Sequence, residues 1–100
     1  MTTSVERFSS DLPTQFSLDQ NYPNPFNPNT EIGFRIADFG RVSLKILDVL
    51  GREVATLVNE EKSAGVYSAR WNATAFGSGT YFYRIESNGQ REIRKMLLMK

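Results

Sequence analysis

The chain contains no cysteine and no histidine. Without cysteine there is no disulfide, no thiolate metal site and no thiol nucleophile. Without histidine the commonest general base and the commonest zinc or copper ligand are missing too. Charge of one sign is also lacking: twelve basic and eleven acidic residues, mixed along the chain, leave a net charge of +1. That balance builds no field for nucleic acid or anionic lipid, so neither is an expected partner. No apolar run approaches the ~20 residues that span a bilayer. The first thirty residues lack the apolar core of a signal peptide, so an export address would have to lie upstream of Met1.

What is present is enough for one domain. Of 100 residues, 40% are hydrophobic and 12% aromatic, which supplies a core. A chain of this size buries about two thirds of its unfolded surface and is stable by about 5–15 kcal/mol. Residues 1–15 are polar, with isolated Val5, Phe8 and Leu12 and no period, and read as a linker or arm. The folded domain is expected over residues 16–100, opening with a short strand from Phe16 to Gln20.

Residues 21–30, NYPNPFNPNT, carry three prolines within six positions. Proline cannot donate to a sheet ladder, so a rigid, extended loop between strands is expected. Pro23, Asn24 and Pro25 then serve either as a recognition epitope or as a cover for one end of the domain. Period-two alternation follows. Glu31–Ala37 sets Ile32, Phe34 and Ile36 on one face, and Arg41–Asp48 does the same with Val42, Leu44 and Ile46. Glu53–Asn59 is a fourth run, with Glu60–Gly65 as a polar connection. Val66–Trp71 alternates Tyr67, Ala69 and Trp71, and Gly79–Ser87 alternates Tyr81, Tyr83 and Ile85.

Asn88-Gly89 is the strongest hairpin signal, because a type I′ turn needs positive φ at both central residues. It leads into a last strand, Arg91–Met99. Asp48, Gly51 and Arg52 read as turn chemistry, with Asp accepting backbone hydrogens and Gly supplying positive φ. Only Val49–Glu61 shows helical spacing, and Gly51 interrupts it. Short strands with turn signals every 8–12 residues predict an all-β antiparallel sandwich of about seven strands.

Chemistry finds little purchase here. The available serines, threonines, tyrosines and lysines have no histidine to activate them. A carboxylate pair for glycoside hydrolysis would need a cleft that a domain this small hardly offers. Glu60-Glu61 and the scattered aspartates lack metal-loop spacing. No enzyme activity, metal, cofactor or small-molecule substrate is therefore expected. Trp71 reads as core, or as a sugar-binding platform if exposed. Asn72-Ala73-Thr74 matches a glycosylation sequon, a three-residue match too short to carry a functional reading. The segment Met96-Leu97-Leu98-Met99 puts apolar residues on both faces, between Lys95 and Lys100. An edge strand this apolar is either covered by its own domain or recognised by something else, a second copy included.

In combination, these segments resemble the type A C-terminal sorting domains of the type IX secretion system, from about Phe16 to Lys100. The resemblance rests on FSLDQNYPNPFNPNTEI, on VSLKILDVLGREVATL, on G-x-Y-x-x-x-W from Gly65 to Trp71, on SGTYFYRI at 78–85, and on KMLLMK. It implies an Ig-like sandwich, related to a domain of the flagellar hook-capping protein. It also implies a cargo tag, fused behind an exported protein and recognised by the outer-membrane machinery. A sortase-like cysteine peptidase of the system then removes it, with cleavage placed in residues 1–15. The sorting-signal positions that the resemblance points to are Gly79, Tyr81 and Lys95, Met96, Leu97, Leu98, Met99 and Lys100. The resemblance implies a passage through the periplasm to the cell surface or medium. The alternatives are an Ig-like structural spacer or cap and a carbohydrate-binding module using Trp71.

Overall fold

Alternation of apolar and polar residues builds most of this fold. The computed structural model describes residues 15–100. Its seven strands are β1 (Ser17–Leu18), β2 (Asn29–Ile36), β3 (Gly40–Leu47), β4 (Glu53–Lys62), β5 (Gly65–Asn72), β6 (Gly79–Ser87) and β7 (Gln90–Leu98). They form two antiparallel sheets, ordered β1-β2-β5 and β4-β3-β6-β7. The expected all-β sandwich is what the chain forms. The arm expected over residues 1–15 lies, apart from Gln15, outside the described residues.

The facing sheets bury the side chains that alternation selects. Ile32, Phe34 and Ile36 come from one sheet; Val42, Leu44, Ile46, Tyr83, Ile85, Met96 and Leu98 come from the other. Leu18, Phe26, Trp71 and Ala73 complete the same cluster. Turns close where the sequence places them. Asn88 and Gly89 take φ of 51° and 81°, joining β6 to β7 in register from Ser87–Gln90 to Gly79–Leu98.

Three boundaries differ from expectation by two residues or more, and the others by at most one. β4 continues to Lys62, so the polar stretch from Glu60 is strand, pairing Glu61 with Arg41 and Lys62 with Gly40. Register shifts at Leu44/Lys45 and Ile46/Leu47 break the period-two pattern of β4, which hides its extent. β2 begins at Asn29, inside the stretch read as loop, with Thr30 buried opposite Trp71. β1 spans two residues rather than five.

Candidate recognition site

Elements distant in sequence meet at the end of β7. Met96 and Leu98 point inward and are 1% and 0% exposed, whereas Leu97 and Met99 point out at 37% and 54%. Of the sequence-predicted signal residues, Met96 and Leu98 are thus core. Lys95, Leu97, Met99 and Lys100 are accessible. On one side β7 pairs with the start of β6, Gly79 opposite Leu98 and Tyr81 opposite Met96. Gly79 has φ of +148°, a conformation that side chains disfavour, which accounts for glycine where β6 begins. Tyr81 is half-buried; its hydroxyl donates to the Gly77 carbonyl (2.8 Å) and its ring meets Trp71 edge-on at 5.4 Å.

The other side of β7 is occupied as well. The Phe26 N–H donates to the Leu97 carbonyl and the Met99 N–H donates to the Phe26 carbonyl, both at 3.0 Å. The Leu97 N–H donates to Asn24 Oδ1 (3.0 Å), and Gln20 Nε2 donates to the Lys95 carbonyl (2.9 Å). Nearer the start of β7, Arg94 Nε donates to the Leu18 carbonyl (2.6 Å) and the Leu18 N–H donates to Glu92 Oε1 (3.0 Å). The proline-rich loop therefore seals the strand edge that its composition had left open. A second copy could add to β7 between Lys95 and Met99 only by displacing residues 20–26.

The loop is anchored from beneath. Phe26 is 2% exposed and packs 5.8 Å from Trp71, which also contacts Phe76 at 5.2 Å. Asn21 and Thr30, both buried, bond to each other (2.9 Å) and to the Pro23 carbonyl (3.1 and 2.9 Å). The Tyr83 hydroxyl donates to the Asp19 carbonyl (2.7 Å) and accepts the Asn21 N–H (2.8 Å). Burial pushes the Tyr83 phenol up to about 12, since a phenolate would be desolvated there. Trp71 is 4% exposed, so the sugar-platform reading of this residue does not hold. Pro23, Asn24 and Pro25 are exposed, lying over β7 through Asn24 and Phe26.

Electrostatics single out the two lysines that bound this segment. Lys45 pairs with Glu53 (3.1 Å) and Lys62 with Glu60 (2.9 Å). Hydrogen bonds from Lys45 and Arg84 hold the Glu53 carboxyl below its ordinary value, and the bond from Lys62 does the same for Glu60. Among the described residues, neither Lys95 nor Lys100 has a carboxylate in ion-pair reach. Lys100 is tied instead to the loop before β6: its N–H donates to Ser78 Oγ (3.0 Å) and its Nζ to the Thr74 carbonyl (2.7 Å).

Sequence reasoning thus named both halves of this surface without joining them. It missed Phe26, Gln20, Asn21 and Thr30, which do the joining. An aromatic residue lodged among prolines was the one available hint.

Comparison with known proteins bears on the family and the fold. No curated protein matches the chain. The crystal structure of dimeric latent PorU from Porphyromonas gingivalis is similar over 87% of this chain, with a TM-score of 0.65 at 19% identity. That overlap is 10% of the PorU chain and speaks to the fold alone. A family model for the secretion system C-terminal sorting domain matches residues 20–99, from the anchoring loop through the end of β7. With four fifths of its length so matched, this chain belongs to the family of secretion system C-terminal sorting domains.

Proposed function

We propose that this sorting domain directs a cargo fused N-terminal to it through the type IX outer-membrane translocon. On this reading, the machinery reads the folded surface at the end of β7. A sortase-like cysteine peptidase then cuts within residues 1–15, leaving the cargo on the cell surface or in the medium after passage through the periplasm. The domain is handled, not catalytic. The observation that supports the reading is that Pro23–Pro25, Gly79 and Tyr81 meet the accessible Lys95, Leu97, Met99 and Lys100 at the end of β7, with Met96 and Leu98 buried beneath. A machine serving many cargoes needs such a feature, because it must ignore the cargo itself.

The test is a reporter with its own N-terminal export signal, fused to residues 1–100, in a bacterium that carries the type IX machinery. The fusion should reach the surface or medium, and should stay in the periplasm when the translocon is deleted. Double charge reversal, Lys95→Glu with Lys100→Glu, should leave the reporter folded but periplasmic. Exposed substitutions usually change stability by within about 0.5 kcal/mol, although Lys100 also loses its bond to Thr74. Export independent of the translocon would refute the sorting role; normal export of the folded double variant would refute recognition of the lysines.

A further inference from the structure

Turns at sheet ends are usually polar, but the β3–β4 turn carries two apolar residues at its tip. Val49 and Leu50 stand at its tip, 65% and 73% exposed. The backbone beneath them is tightly bound. Asp48 Oδ1 accepts the N–H groups of Leu50 (2.9 Å) and Arg52 (3.0 Å), and Asp48 Oδ2 meets Arg52 Nε at 2.8 Å. The Asp48 N–H donates to the Arg52 carbonyl and the Gly51 N–H to the Asp48 carbonyl, both at 2.9 Å. Gly51 supplies the positive φ, +82°, that closes the turn. Two large apolar side chains are therefore held out to solvent by a pre-organised loop, which lowers the entropy lost on docking.

Position connects this tip to the surface described above. Leu47 pairs with Phe82, and Phe82 with Lys95; one step further along, Thr80 pairs with Leu97. The turn after Leu47 lies at that same end of the four-stranded sheet, two strand spacings, about 10 Å, from β7. Exposed Val49, Leu50, Leu97 and Met99 thus share one end of the sheet with Lys95 and Lys100.

We propose that the Val49–Leu50 tip is a second docking element of the sorting surface, inserting into an apolar protein cleft rimmed by carboxylates on the export apparatus. The proposal rests on the sorting reading. Two chemical features select this occupant. Among the described residues, the basic groups of β7 and its end without a carboxylate in ion-pair reach are Arg94, Lys95 and Lys100, whereas the exposed Arg52 is matched by Asp48. A second copy would present lysines to lysines if it docked through the same end. An anionic membrane is matched by clusters of roughly four to eight basic residues, more than stand here.

The experiment uses the same reporter fusion with Val49→Ser and Leu50→Ser together. Phe39→Ser with Val66→Ser is the control, since these exposed apolar residues lie at the opposite end of the strands. Thermal unfolding of each purified domain confirms that it is folded. The tip variant should be exported about tenfold less than wild type, the scale of losing a central contact residue, and the control should be exported normally. Failure of the wild-type fusion to be exported removes the sorting reading and this inference with it. Normal export of wild type and tip variant alike removes the inference alone. Two results would reassign the tip and overturn the proposal: a wild-type dimer in sedimentation that the tip variant loses, or wild-type binding to phosphatidylglycerol vesicles that the variant loses.

Discussion

Replacing Phe26 with alanine removes a side chain that is 2% exposed, packs against Trp71 and sits between two backbone hydrogen bonds to β7. Truncating a buried Phe costs about 3–5 kcal/mol, including the cavity left behind. A domain of this size is stable by about 5–15 kcal/mol, so the change removes a large share of the total. With a urea m-value of about 2 kcal/mol/M, the unfolding midpoint should fall by about 2 M. Amide hydrogen exchange localises the effect. Leu97 and Met99, whose neighbour Phe26 no longer holds the loop down, should lose protection before the amides that pair β3 with β6. A midpoint shift below about 0.5 M, or protection at Leu97 and Met99 equal to wild type, would refute the view that this loop belongs to the core.

Tyr83 makes stability depend on alkaline pH. Its folded value near 12 lies above the ordinary 10, so its contribution is complete below pH 10 and is lost as pH rises towards 12. The loss amounts to about 1.4 kcal/mol per pH unit across that window. Denaturation midpoints measured from pH 9 to 12 should decline steeply for wild type and more gently for Tyr83→Phe. The variant should start lower by about 1–3 kcal/mol, because the Asp19 carbonyl and Asn21 N–H lose their shared partner. At Gly51 the space around an added Cβ is open, so Gly51→Ala should cost only the backbone strain of φ +82°, about 1 kcal/mol in urea unfolding. Gly51→Asn should recover part of that loss, since Asn tolerates the left-handed region.

The strands that the sequence declares are those whose one face is buried throughout. β2, β3 and β6 show strict alternation, and Ile32, Phe34, Ile36, Val42, Leu44, Ile46, Tyr83 and Ile85 all lie where it places them. β4 defeats the same test because its pairing with β3 slips twice, so Leu57 and Val58, adjacent in sequence, both pack against the core. The candidate site was legible in halves. Composition marked the proline loop and the lysine-bounded strand as unusual, but the bonds between them span more than seventy residues of chain. Phe26 carries no period, and its burial is set by Trp71 and Leu98, to which no local pattern refers. Nor does periodicity flag Asn21 or Thr30, whose hydrogen bonds exist only once the loop has turned back on β2.

The sealing of β7 also sets an order of events. The groups that cap its outer edge, from Leu18 to Phe26, precede all but the first strand, while the core positions filled by Met96 and Leu98 stay empty until the seventh arrives. As the chain leaves the ribosome, the early loop has nothing to grip until the latest segment is made. Closure of the domain thereby needs both ends of the folded chain: a chain interrupted before Lys95 lacks every bond that residues 20–26 make to β7.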